Sequence, residues 1–242
     1  MKLAQLLFSQ GFGTRKMCAI LIADGEVAIN NVVCDDADVV IDTSGANFTF
    51  TVRGQAWAYR EHAYLMLHKP AGYECSQKAK SHPTVYRLLA DPLRTRSGGG
   101  VQAVGRLDQD TTGLLLFSDD GKFIHQMASP KHHVPKIYDV TLNEAVTAAQ
   151  IAQLLAGVVL EDDPAPVHAL ACTHMDELNK IKLTLAQGKY HQVKRMMAAV
   201  KNNVVSLHRS QIGGLALPAD LALGEWRWLT DADMRLLKPQ SL

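Results

Sequence analysis

No apolar run in this chain approaches the ~18 residues that a membrane-spanning helix requires. Met1 to Phe8 is mostly apolar, but Ser9-Gln10-Gly11 interrupts it too soon for a secretory leader. Cysteine is scarce: Cys18, Cys34, Cys75 and Cys172 lie far apart with no Cys-x-x-Cys pair. That excludes a disulfide framework, and reduced thiols in a cytoplasm are expected. Of the 10 histidines, the densest group is His125, His132 and His133, which has neither a helical His-x-x-x-His spacing nor a nearby cysteine pair. No metal site is expected there. No internal repeat or low-complexity tract is present. A net charge of only +1 keeps composition alone from announcing a nucleic-acid binder.

The 242 residues are enough for one or two domains with a sizeable core. Apolar residues at 47% and charged ones at 20% are ordinary for a soluble globular protein. Charge is unevenly spread. From Leu178 to Ala219 there is no acid, yet Lys180, Lys182, Lys189, Lys194, Arg195, Lys201 and Arg209 fall there. Lys122, Lys131 and Lys136 lie between Asp120 and Asp139, and Arg94, Arg96 and Arg106 between Asp91 and Asp108. These windows suit phosphate contacts or, equally, a solvated basic face.

Local patterns divide the chain. Residues 3–10 and 14–23 read as two short helices split by Gly11-Phe12-Gly13. Thr14 would cap the second, whose apolar set Met17, Ile20, Leu21 recurs at helical spacing. Glu26 to Ile29 alternates as a strand, and Asn30-Asn31 turns it into Val32-Val33. Phe48 to Val52 is a further strand, and a linker is expected near 53–61. Tyr64 to Leu67 opens the second part, and Ser97-Gly98-Gly99-Gly100 reads as a flexible loop. A helix over 145–155, strands over 157–160 and 181–185 and an amphipathic helix over 190–200 follow. Strands and helices intermix without βαβ alternation, so an α+β fold with a mixed sheet is expected.

The most informative string is Gly105-Arg106-Leu107-Asp108-Gln109-Asp110-Thr111-Thr112-Gly113, followed by the apolar Leu114 to Phe117 and by Ser118-Asp119-Asp120-Gly121. It sets Asp108 at the mouth of a short buried strand, where a carboxylate is paired, hydrogen-bonded or functional. An isolated Arg-x-Asp is more often a turn acid. The whole string, however, resembles the catalytic loop of the pseudouridine synthases, in the branch that modifies ribosomal RNA with an N-terminal RNA-binding module. Leu67-His68-Lys69-Pro70-Ala71-Gly72-Tyr73 resembles that family's Lys-Pro-x-Gly loop, and Lys136-Ile137-Tyr138 its Lys-x-Tyr element. Gly188 to Met196 resembles its third motif. The helix-helix-hairpin at the start resembles the αL RNA-binding module of ribosomal small-subunit protein four, with Ala4-Gln5 and Asn30-Asn31 departing from its usual residues. Together these imply an αL module over 1–58 and a mixed-sheet catalytic domain over 59–242.

The resemblance implies isomerisation of one uridine to pseudouridine in small-subunit ribosomal RNA, within an assembling particle, with no cofactor. Asp108 would be the catalytic carboxylate, serving as nucleophile or as base. Lys194 would pair with it, and Tyr138 would offer a ring face to the uracil. Arg106, Arg195, His191 and Lys69 would contact RNA around the site, and Arg15 and Lys16 would do so on the N-terminal module. The same chemistry on large-subunit RNA is the first alternative. A non-catalytic RNA-binding or ribosome-assembly factor is another. A glycosidase using Asp108 with Asp110 or Asp119 ranks last, because Asp119-Asp120 reads as an exposed turn.

Overall fold

Glycine breaks and side-chain caps begin the first unit of the computed structural model, which describes residues 1–45, 48–161 and 163–238. Helix α1 (Leu3–Gln10) ends at Gly11, whose φ of 92° is open to glycine. Helix α2 (Arg15–Ala23) begins where the Thr14 side chain accepts from the Met17 N–H at 3.3 Å. α1 buries Leu3, Leu6 and Leu7, and α2 buries Cys18 and Ile22, four residues apart on one face. Of the apolar set that recurs at helical spacing, Met17 and Ile20 are 53% and 48% exposed. The i, i+4 pair Cys18–Ile22 takes the inward position, which turns the neighbouring face outward.

Strands β1 (Val27–Ile29), β2 (Val32–Val33), β3 (Thr49–Val52) and β4 (Gln55–Ala58) form an antiparallel sheet in the order β2-β1-β3-β4. Asn30 and Asn31, both at positive φ, make the two-residue turn read from the sequence. Arg53 and Gly54 make a second such turn, so the expected linker at 53–61 holds a fourth strand. Gln55-Ala56-Trp57-Ala58 has no β-branched residue to announce it.

This unit is discontinuous in sequence: Met1–Tyr64, Leu89–Gln102 and Ser118–Asp120. The second segment carries α3 (Asp91–Thr95) and Arg96, which is 3% exposed. Arg96 Nε donates to Asp119 at 2.5 Å and Nη1 to the Gln10 side chain at 2.9 Å. Its Nη2 donates to the carbonyls of Arg60 and Glu61 at 2.7 and 3.1 Å. Asp119 also accepts from the Ala63 N–H at 2.8 Å, and Asp120 from the Tyr64 hydroxyl at 2.8 Å. Two expectations are corrected here. Arg96 is a buried cross-link, not part of a phosphate-facing basic strip. Asp119, 11% exposed at its side chain, is not in an exposed turn.

The second unit comprises Leu65–Leu88, Ala103–Phe117 and the chain from Gly121 onward. Its strands are β5 (Tyr64–Lys69), β6 (Gln102–Val104), β7 (Thr112–Ser118), β8 (Lys136–Leu142), β9 (Val158–Leu160), β10 (Asp163–Val167), β11 (Ala171–His174), β12 (Lys180–Leu185), β13 (Val204–Ile212), β14 (Leu215–Ala216) and β15 (Trp226–Trp228). Helices α4 (Gly121–Ala128), α5 (Ala148–Ala156), α6 (Gln192–Ala199) and α7 (Asp231–Leu236) complete it. The main sheet runs β11-β12-β8-β13-β7-β5-β15, with β6 against β7 and β14 against β13. β13 is parallel to β7 and antiparallel to β8, which makes the sheet mixed and the fold α+β. Leu114 to Phe117 are fully buried, as the continuous apolar run requires. On α6, Val193, Met196 and Met197 turn inward, as does Val200 at its C-terminal cap, which leaves Lys194 and Arg195 half-buried at its edge.

Among the described residues no helix is long and apolar enough to cross a membrane, and no group of three or more His, Cys, Asp or Glu could hold a metal ion.

Candidate active site

The loop between β6 and β7 carries Asp108, and its own backbone makes its shape. The Thr111 N–H donates to the Asp108 carbonyl at 3.1 Å, closing a tight turn. The Leu107 N–H donates to the Cys75 sulfur at 3.4 Å, and the Gly72 N–H to the Gln109 carbonyl at 2.8 Å. Gly72 stands at φ +85°, so the Lys-Pro loop can present its N–H there. Beneath them lies Lys69, wholly buried, its ammonium donating to the carbonyls of Pro70, Gln109 and Thr111 at 3.0, 3.2 and 2.8 Å. Burial pulls this ammonium below its usual range, and Cys75, Asp110 and Asp108 partly offset that. Lys69 was expected to contact RNA; the structure seals it under the loop, where it clamps three backbone carbonyls.

Asp108 lines a cavity of about 60 Å³ together with Arg106, Thr111, Tyr138, Leu185, Lys189, His191, Lys194 and Leu207. Its carboxylate, 26% exposed, lies 3.4 Å from His191 Nε2 and 3.6 Å from Lys194 Nζ. Lys194 has a closer partner that sequence reasoning missed. Its ammonium donates to both carboxylate oxygens of Asp110, at 2.7 and 2.8 Å. Desolvation works to raise the Asp110 carboxyl, but the Lys194 hydrogen bond and charge prevail and hold it below the usual range. The expected Lys194–Asp108 pair is therefore an ion pair at longer range, within a cluster that Asp110 anchors.

Strand alternation puts Tyr138 on the buried face of β8, and its ring, 7% exposed, forms a cavity wall with Leu185 and Leu207. One aromatic and two aliphatic walls around a carboxylate suit a flat, polar-edged ring. The Thr111 hydroxyl, 1% exposed, has no hydrogen-bond partner among the described residues and lines this cavity. Thr111 was not singled out in the sequence, since nothing in Thr-Thr-Gly tells which hydroxyl turns inward.

A larger cavity of about 380 Å³ shares Arg106, Asp108 and His191 and is also lined by Glu74, Cys75 and Tyr190. The Glu74 carboxylate is occupied by the N–H groups of Lys80, Ser81 and His82. Tyr190 is 70% exposed, and its ring stacks on His191 at 3.8 Å. Arg106 is exposed at the mouth, and Arg195 donates to the Tyr190 carbonyl at 3.1 Å without lining any of these cavities. Arg15 and Lys16 are exposed at the start of α2 in the first unit, Arg15 lying over the Phe8 ring at 5.2 Å.

Known proteins resemble this chain in sequence and in fold. The RNA pseudouridylate synthase family model matches residues 63–199, and the chain belongs to that family. "Ribosomal small subunit pseudouridine synthase A" of Escherichia coli K12 is 45% identical over 176 residues, 71% of this chain and 72% of that one. The protein of the same name from Haemophilus influenzae is 38% identical over 224 residues, 93% of this chain and 94% of that one. A solved structure described as a pseudouridylate synthase is 34% identical, with a TM-score of 0.68 over 98% of this chain and 100% of that one.

Proposed function

We propose that the protein converts one uridine of small-subunit ribosomal RNA into pseudouridine, with Asp108 as the catalytic carboxylate. The observation that carries this is Asp108 itself: among the described residues it is the one carboxylate lining the cavity walled by Tyr138, Leu185 and Leu207. The relatives named above act, by their names, on the small ribosomal subunit. The glycosidase alternative needs a second carboxylate facing the first. Asp110 is bound to Lys194, and Asp119 is held by Arg96 and Ala63.

The reaction breaks the bond from C1′ to N1, turns the uracil in place and joins C1′ to C5; C5 loses its hydrogen to solvent and N1 gains one. A target uracil leaves its stack and enters the cavity, where Tyr138 supplies the stacking face. Asp108 stands at the glycosidic bond as nucleophile or as base. His191 and Lys194 fix its orientation. Arg106 and Arg195 serve the phosphates around the mouth, and Arg15 and Lys16 those met by the first unit. The setting is a small-subunit particle under assembly in the cytoplasm, and no cofactor takes part.

Release of tritium from RNA labelled at uracil C5 tests this. Small-subunit RNA with its proteins should release tritium with the wild type. Asp108→Asn should release none while RNA affinity stays within about twofold, because one neutralised group away from the phosphates changes little binding. Release from large-subunit RNA alone would overturn the substrate, and binding without release on every RNA would favour the assembly-factor reading.

A further inference from the structure

A third cavity, about 70 Å³, shares Arg106, Tyr138 and Gly188 with the first but is lined by Lys136 and Arg209 in place of Asp108. Lys136 precedes Tyr138 by two residues, so strand alternation puts both on the buried face of β8. Arg209 on β13 stands directly opposite Tyr138 in the sheet register. Lys136 is 9% exposed and Arg209 4%. No acidic residue lines this cavity, and among the described residues neither cation makes an ion pair. Arg209 Nε donates to the Leu114 carbonyl at 2.8 Å, while its Nη2 has no partner among the described residues.

Two neighbouring buried cations without a counter-charge are an expensive arrangement, and a buried donor without an acceptor calls for a cause. Val104, Leu116 and Ile212 around them offer nothing polar in return. Burial and the charge of Arg209 push the Lys136 ammonium down to about 8, as expected for a cation still waiting for its partner. At neutral pH it remains mostly charged.

We propose that the Lys136–Arg209 cavity is an anion site that takes a phosphodiester group of the RNA strand whose uridine occupies the Asp108 cavity. The proposal rests on the RNA-modifying reading of the neighbouring site. A phosphodiester carries one negative charge and two unesterified oxygens, which matches one guanidinium donor and one ammonium. Tyr138 and Arg106 belong to both cavities, so a strand with its base in one has its backbone at the other. Inorganic phosphate shares this chemistry and is distinguished below.

The test is Lys136→Met, with Lys136→Arg as the rescue, on tritium release and on RNA affinity by fluorescence anisotropy. For Lys136→Met, loss of a charged hydrogen bond should raise KM and Kd about tenfold, with kcat within about threefold. The slope of log K against log salt should fall by about 1. Thermal stability should hold or rise, since a buried cation has been replaced by an apolar chain of similar length. Lys136→Arg should recover most of the affinity. A neutral methylphosphonate, moved linkage by linkage past the target uridine, should weaken wild-type binding at one position and add nothing further in Lys136→Met. Unchanged KM, Kd and salt slope in Lys136→Met would overturn the proposal. So would a flat methylphosphonate scan with inorganic phosphate protecting the wild type, which would make the site one for a free ion. Should the wild type bind RNA but release no tritium, the anisotropy scan would still judge the anion site, and the isomerisation reading alone would fall.

Discussion

Three lysines near the Asp108 loop meet three different surroundings, and their chemistry follows from those. Lys194 is half-buried and donates to both oxygens of Asp110. Lys69 is sealed in but has three carbonyls for its three protons. Lys136 is nearly sealed in with no such acceptor among the described residues, and its pKa of about 8 against an ordinary 10.5 records the difference. Between those two values the unfolded chain holds the Lys136 proton and the folded one does not, so the unfolded state binds more protons and stability rises with pH across that window. Urea unfolding of the wild type and Lys136→Met at pH 7.5 and pH 10 should therefore show the advantage of the variant shrinking as pH rises. A difference independent of pH would contradict this. At this scale the sequence reveals Asp108, because seventeen residues around it carry a recognisable pattern. It reveals neither the clamp at Lys69, whose acceptors are backbone carbonyls up to 42 residues away, nor the preference of Lys194 for Asp110.

Among the elements, β7 is the one most plainly written in the chain, since four consecutive buried residues leave no other face to choose. Its start depends on Gly113, at φ +110°, where an added Cβ would meet the Arg209 carbonyl oxygen at 2.3 Å. Gly113→Ala should push β7 and β13 apart at their parallel pairing and cost about 3 kcal/mol or more in urea unfolding. Gly72→Ala, at φ +85° in open space, should cost about 1 kcal/mol from backbone strain alone. Similar losses from the two would show that close packing at Gly113 is not what requires glycine. Elsewhere periodicity found the existence of elements better than their facing. The helix over α2 was legible, yet Met17 and Ile20 turned out exposed because the helix partner, not the pattern, selects the buried stripe. β4 was read as linker, since an edge strand half open to solvent needs no apolar alternation.

The whole molecule is two units that do not follow the order of the chain. The resemblance placed the first over 1–58, but the residues that complete it are drawn from Leu89–Gln102 and Ser118–Asp120. No local pattern could show that Arg96 would meet Gln10, Arg60, Glu61 and Asp119, because each is distant in sequence. Arg96→Met should leave the largely buried Asp119 carboxylate with only the Ala63 N–H and the half-exposed His62 ring, 3.3 Å away, and cost about 3 kcal/mol or more, read by urea unfolding. A loss under about 1 kcal/mol would mean that water replaces the guanidinium without penalty. A ribosome adding roughly 5–20 residues per second would deliver Asp119 ~3–11 s after Tyr64. Arg96 arrives within that interval and already has the Gln10, Arg60 and Glu61 oxygens to bind, but its carboxylate partner, Asp119, is still missing. The part of the protein that is born first is thus finished only after the Asp108 loop has been made, and a chain halted before residue 119 would leave both halves incomplete.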